Sequence, residues 1–304
     1  MGAFNTQIAK YVLPEKIELE LRKMHRGMVI SSDSNESIVD GYVNDIEWNA
    51  FDLSHRVYVH RTYLEHMPEF SGRDFSVNLT RLGTTPFFTQ VANTKLEPGF
   101  LIQSMVLWGI FYIYQIVELT QREEQVHIKV SWHIASHRLF RLLHRPLNWR
   151  MKKLQAIQDE EDLVIRNRRY KLRKAGFRFK TDVPDFLNSN DLSNHLVQPV
   201  LHNTVRFSLT KLAAGRVERF VEGPVELLVE LTSNGISVWS AVCPHEGGAL
   251  TPEDVCDGIA QCSWHGLRYA PIELNQASKS RGHILNWTVE IEGDDLVVSK
   301  RQAA

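Results

Sequence analysis

Two short stretches late in the chain each pair a cysteine with a histidine: CPH at 243–245 and CSWH at 262–265. Cys243 and His245 are one residue apart, Cys262 and His265 two. Each stretch lies between strand-like runs and is followed closely by glycine (Gly247 and Gly248, then Gly266). Glycine permits tight turns, so two loops are expected to present two thiolates and two imidazoles from adjacent fingers. Thiolates suit iron bridged by sulfide, and neutral imidazoles on a second iron raise its reduction potential. Structural zinc favours Cys-x2-Cys pairs, which this pattern lacks. The third cysteine, Cys256, is a spare and is expected to be structural.

A second group of candidates lies far upstream, in FDLSHRVYVH at 51–60. It holds Asp52, His55 and His60. On a regular helix, residues five apart point about 140° away from each other. On a strand they point to opposite faces. His55 and His60 therefore reach one metal only from a helix with a π-type turn or a break. Asp52, three residues before His55, can share its face. The plain alternative is a packed helix carrying incidental histidines, of which the chain has 13.

The segment CPHEGGALTPEDVCDGIAQCSWHG, 243–266, closely resembles the Rieske family, and Pro244, Gly247, Trp264, Gly266 and Tyr269 share in the match. At domain scale the resemblance covers residues 203–300. Positions that carry an extra disulfide in respiratory members hold Gly248 and Trp264 here, which points to the ferredoxin and oxygenase branch. Asp-x2-His-x4-His, within AFDLSHRVYVHR, resembles the iron signature of the Rieske non-haem iron oxygenases. The resemblance implies a [2Fe–2S] cluster on Cys243, His245, Cys262 and His265, and a mononuclear Fe(II) on His55 and His60. It further implies Asp52 as the hydrogen-bonding link on the electron path, and a third, carboxylate ligand from a long helix late in the catalytic domain.

Four acids compete for that third position in QDEEDLVIRNRR, 158–169: Asp159, Glu160, Glu161 and Asp162. At 100° per residue, Leu154, Ile157, Val164, Ile165, Arg168 and Leu172 share a face with Glu161 near its centre. A carboxylate on an apolar face is expensive unless paired or metal-bound. The family pattern sets its apolar pair three and four residues after the ligand, which Val164 and Ile165 satisfy from Glu161; yet the family normally uses Asp. Glu161 is the preferred ligand, with Asp162 the alternative.

The elements that must position these groups follow from pattern. The chain has 304 residues, 43% apolar and 23% charged, with a formal net charge of −1. That is globular composition with material for two domains, and nothing in it suggests nucleic acid. Residues 1–40 read as a lead-in, with SSDSNES at 31–37 as a polar loop. Residues 45–66 read as helical. FLIQSMVLWGIFYIYQIV, 100–117, is uncharged over 18 residues, close to a membrane span. Its Gln103, Ser104, Gly109 and Gln115 favour two buried strands joined near Trp108–Gly109. TQREEQ reads as a turn before the alternating VHIKVSW, and the main helix is expected from about 147 to 174. The reading is α+β: a helix-grip (START-like) catalytic domain over 41–178, a linker over 179–202, and an all-β Rieske [2Fe–2S] domain over 203–304.

The function implied is that of an oxygenase using O2 and external electrons to hydroxylate, demethylate or otherwise oxidise a hydrophobic small molecule, with the 100–117 run lining its pocket. The alternative is a Rieske electron carrier fused to a hydrophobic-ligand-binding helix-grip domain without iron. No flavin or nicotinamide fingerprint is evident, so a separate ferredoxin or flavin reductase is implied. The basic run from Arg166 to Lys180 is a solvated helix face or a dock for an acidic ferredoxin. A homo-oligomer is expected, since a ring trimer is usual in the family. The order of domains departs from it: here the Rieske domain follows the catalytic one. Three cysteines and the absence of a charged-then-apolar leader fit a reduced cytoplasmic setting.

Overall fold

The computed structural model describes residues 14–52, 55, 58–60, 64–71, 74–82, 88–179, 196–275 and 281–301. The chain divides into two compact units, 1–167 and 168–304. The expected α+β class is met.

The first unit opens with helix α1 (Pro14–Met24), strand β1 (Val29–Asp40) and helix α2 (Val43–Phe51). Six strands follow: β2 (Leu64–Ser71), β3 (Phe75–Leu82), β4 (Phe88–Glu97), β5 (Phe100–Leu107), β6 (Phe111–Arg122) and β7 (Gln125–Ser136). Helix α3 (His144–Lys174) comes next. The strands form one sheet in the order β1-β7-β6-β5-β4-β3-β2, with every pairing antiparallel.

Turn chemistry makes the meander. Trp108 and Gly109 both have positive φ (55° and 68°), which matches the right-handed twist of the flanking strands β5 and β6. The uncharged 100–117 run is thus a hairpin, as expected. Among the described residues, no helix is long and apolar enough to cross a membrane. In β7, Val126, Ile128, Val130, Trp132 and Ile134 alternate inward. They share a core with Leu101, Ile113, and Met151 and Leu154 of α3.

Two expectations fail in this unit. SSDSNES is not a loop but the middle of β1, in register with β7 from Val29↔Ser136 to Asp40↔Gln125. An edge strand with mostly wetted side chains carries no apolar alternation, and its polar residues guard the open edge. Of the expected lead-in, Pro14–Met24 is helical and Val29–Asp40 belongs to the sheet, while 1–13 lie outside the described residues. The 45–66 helix is also divided, because α2 stops at Phe51 and β2 begins at Leu64.

Among the described residues, the second unit holds two four-stranded sheets, a three-stranded ribbon and a two-stranded pair, Arg178–Phe179 with Leu196–Val197. One sheet orders Val205–Ser208, Asp295–Lys300, Trp287–Glu292 and Arg281–Ile284. The other orders Val217–Glu222, Val225–Thr232, Gly235–Ser240 and Ile272–Leu274. Leu227, Val229, Ile236, Val238, Trp287 and Val298 form its core. Leu172, Phe177 and Phe179 belong to that same core, as do Leu196 and Leu201. The expected boundary at 178 and linker over 179–202 are corrected accordingly: the division falls inside α3, because the apolar side chains of its last turns pack in the second unit. Most of the expected linker, 180–195, lies outside the described residues.

Candidate metal centres

Helix α2 ends because Asp52 leaves helical geometry, at φ −74° and ψ 87°. His55, Tyr58 and Val59 are helical again, and His60 is not. The break between elements resolves the five-residue spacing, since His60 escapes the helical phase that would turn it away from His55. Glu47 of α2 fixes this helix to the β4–β5 turn, accepting hydrogen bonds from Lys95 Nζ and the Gly99 amide at 2.6 Å each.

His55, His60 and Asp162 are all buried, and one ligand atom from each lies within 4.8 Å of the others. Asp162 Oδ1 is 3.6 Å from His55 Nε2 and 3.2 Å from His60 Nε2. The outer nitrogens face carboxylates too. Asp52 Oδ2 lies 3.6 Å from His55 Nδ1, and Glu161 Oε2 lies 2.7 Å from His60 Nδ1. Arg166 Nη2 donates to Asp162 Oδ2 at 3.2 Å, which leaves Oδ1 for the histidines.

Burial opposes charge on His55, but attraction to Asp162 and Asp52 outweighs it and raises its pKa to about 9. Burial likewise pushes Asp162 up, while His55, His60 and Arg166 hold it well below the usual carboxylate range. The site is built for positive charge. His55 is fully buried, yet neither ring nitrogen has a hydrogen-bond partner, and Asp162 Oδ1 has none. Buried polar atoms are seldom left so. A divalent cation between His55 Nε2, His60 Nε2 and Asp162 Oδ1 would satisfy the inward-facing orphans, so the residues fit a mononuclear Fe(II).

A cavity of about 110 Å³ opens onto all three residues. Leu101 and Val117 of the 100–117 run line it with Val130, together with side-chain amides including Asn93, Gln103 and Gln115.

In the second unit the two Cys–His loops repeat one backbone pattern. The Cys243 amide donates to Gly248 O at 2.8 Å, and the Gly247 amide donates back to Cys243 O at 3.0 Å. The Cys262 amide donates to Leu267 O at 2.9 Å, and the Gly266 amide to Cys262 O at 2.8 Å. Gly247 (φ 82°) and Gly266 (φ 66°) hold the equivalent left-handed position, four residues after each cysteine. All four candidate ligands are buried. The two imidazoles meet at 3.3 Å, Nδ1 to Nδ1, with ring planes at 90°.

Burial pushes the Cys243 thiol up, but hydrogen bonds from Cys262, Tyr269 and backbone amides win and bring it down to about 7. The Tyr269 hydroxyl lies 3.1 Å from its sulfur. Cys262 is held up by Cys243 and by burial. A Cβ on Gly248 would stand 2.7 Å from Cys262 Sγ and 3.1 Å from Trp264 Cδ2, so this position accepts glycine alone. Buried thiols, facing imidazole nitrogens and a glycine cradle fit a [2Fe–2S] cluster.

No family model and no curated protein sequence matches the chain. Among solved structures it is similar to truncated norcoclaurine synthase from Thalictrum flavum, at 14% identity over 45% of this chain and 95% of that one, TM-score 0.37. It is also similar to Ara h 8.0201, at 10% identity over 44% and 98%, TM-score 0.34. The Zhui aromatase/cyclase from Streptomyces sp. R1128 follows at 8% identity over 36% and 70%, TM-score 0.30. Likenesses this distant say nothing of what the chain binds or catalyses.

Of the two competing acids, Asp162 joins His55 and His60, while Glu161 stands behind His60. The preference for Glu161 is corrected. Val164, counted on the buried face, is 68% exposed, whereas Asp162 is 7% exposed. The inward face instead runs through Met151, Leu154, Asp162, Ile165, Arg169 and Leu172. Cys256 is exposed and unpaired, not structural. The basic run is not uniformly solvated, because Arg168 pairs with Glu226 and the buried Arg169 with Glu246. Lys180 lies outside the described residues. Sequence reasoning missed the amides lining the cavity, whose period-2 placement on separate strands was the available signal.

Proposed function

We propose that the chain is a Rieske-type oxygenase. Its first unit would be a helix-grip domain holding Fe(II) beside a substrate cavity, and its second the holder of a [2Fe–2S] cluster. One observation carries the reading: His55, His60 and Asp162 converge in the cavity wall, and His55 Nε2 and Asp162 Oδ1 are buried there with no hydrogen-bond partner. Two histidines and one carboxylate on one side, with open positions on the other, are the donor set of non-haem iron oxygenases.

When bound, the cluster supplies single electrons and the Fe(II) activates O2 toward an organic substrate. The rest is the work of the chain's own side chains. Glu161 orients His60 by drawing the N–H to Nδ1, and the charge of Asp52, 3.6 Å from His55 Nδ1, favours the same tautomer there, so that both rings present Nε2 to the metal. Arg166 holds Asp162 in one rotamer and offsets its charge. The apolar walls exclude water and receive the hydrophobic part of a substrate. Electrons would come from a separate ferredoxin or flavin reductase.

The test is iron and acid-labile sulfide per chain in anaerobically purified protein, beside the His55→Ala, His60→Ala double variant. The expected result is about three irons and two sulfides, falling to about two and two in the variant. About two irons in both proteins would instead favour an electron carrier fused to a binding domain.

A further inference from the structure

The cavity beside His55, His60 and Asp162 has two chemically different walls, and strand register explains both. Residues directly opposite on neighbouring strands share one face of a sheet. Leu101, Val117 and Val130 are successive partners across β5, β6 and β7, and they make an apolar row. One step along the same face, Ser76, Asn93, Gln103 and Gln115 are successive partners across β3 to β6, and they make a polar row.

The polar row is wired. Gln103 Nε2 donates to Asn93 Oδ1 at 2.7 Å, and Asn93 Nδ2 donates to Ser76 Oγ at 2.9 Å. Gln115 Nε2 donates to Gln155 Oε1 at 2.7 Å, and Gln155 Nε2 donates to Asp159 Oδ1 at 2.9 Å. The second chain has a direction. A carboxylate only accepts, so Asp159 draws the Gln155 amide N–H2, and Gln155 must then show its carbonyl to Gln115. Burial lifts Asp159 above the usual carboxylate value, against Arg166, 3.8 Å away, and the Gln155 amide, which both favour the charged, accepting form. Gln115, which lines the cavity, is thereby forced to donate to Gln155, so its carbonyl Oε1 is the group it has left to accept with. Asn49, 3% exposed and also lining the cavity, has a carbonyl oxygen with no partner among the described residues. The Asn49 oxygen is expensive to bury unless something donates to it.

We propose that this cavity takes a small organic molecule with an apolar body and an uncharged N–H or O–H donor, oriented by Gln115 Oε1 with Asn49 nearby. The volume of about 110 Å³ suits one small ring, given that an apolar cavity of about 150 Å³ holds benzene. Away from the histidines, the charges at hand, Arg166 with Asp159 and Asp162, already pair with each other, so the Gln115 end offers an ionic group no free counter-charge. This inference rests on the oxygenase reading for its metal but not for its recognition.

The test uses pyrrole and furan, rings of nearly equal size that differ in carrying an N–H donor or a ring-oxygen acceptor. Binding to the full chain is titrated by NMR, once iron-loaded and once after chelation. Pyrrole is expected to bind at least about tenfold more tightly than furan in both. In Gln115→Leu the ratio should fall to about one. Gln155→Met, on the half-exposed helix face, releases the Gln115 amide to turn over and should also erase the preference. Equal binding, a preference for furan, or no saturable binding of either ring overturns the proposal. If the iron reading alone fails, the pyrrole preference persists in the chelated chain; if the recognition alone fails, the iron count is untouched.

Discussion

Glu161 lies 2.7 Å from Nδ1 of His60, on the side of the ring away from Asp162. Two adjacent acids on α3 thus address opposite nitrogens of one imidazole. The first can set the tautomer and the second can share a cation. Truncating them should have different consequences. Asp162→Ala should abolish mononuclear metal binding while the visible spectrum of the cluster persists. Glu161→Ala should weaken metal affinity about 10- to 100-fold, and Glu161→Gln, still an acceptor, should recover part of it. Chelator competition with Co(II) measures both. Equal losses in the two alanine variants would refute the division of roles.

Metal affinity in the first unit should climb with pH. His55 has a folded-state pKa of about 9, against about 6.5 in an unfolded chain. Its protonated form therefore stabilises the metal-free fold fully below about 6.5, and that stabilisation is lost as pH rises through 9. A cation needs the neutral ring, so binding expels the proton. Apparent Co(II) affinity should rise by up to about tenfold per pH unit and level off above about pH 9. A flat profile would show that His55 does not ligate.

Gly248→Ala should cost the second unit its cluster. The added Cβ would stand 2.7 Å from Cys262 Sγ, and the sulfur is fully buried with little room to retreat. Loss of visible absorbance and of labile sulfide, with far-UV circular dichroism retained, is the expected outcome. Cys256→Ala, at an exposed thiol, should leave both unchanged.

Arg169 is a buried cation held by Glu246 and stacked 3.6 Å over the Phe179 ring. Arg169→Met strands a buried carboxylate and should destabilise the second unit by about 3–5 kcal/mol. Adding Glu246→Leu removes the stranded charge and should return much of the loss. Denaturant melts of the single and double variants decide it. A single variant as stable as the parent would mean that Glu246 finds water.

Local chemistry is legible in the amino-acid sequence itself. The Cys243/His245 and Cys262/His265 spacings need only two short loops with glycine at the turn, and such loops are written in a few consecutive residues. The Trp108–Gly109 hairpin and the long helix are likewise local. His55 and His60 stand out because their spacing lets no regular element bring both to one metal, and Asp52 because it can share the face of His55. What sequence could not settle depends on residues far apart in the chain. Glu161 and Asp162 are about 100° apart on α3, and only the packing of that helix, with Val164 turned outward, decides which one meets the histidines. A polar edge strand looks like a loop until β7 supplies its hydrogen bonds. The polar row at the cavity, Ser76 with three amides, joins side chains from four strands, and register alone brings them to one face.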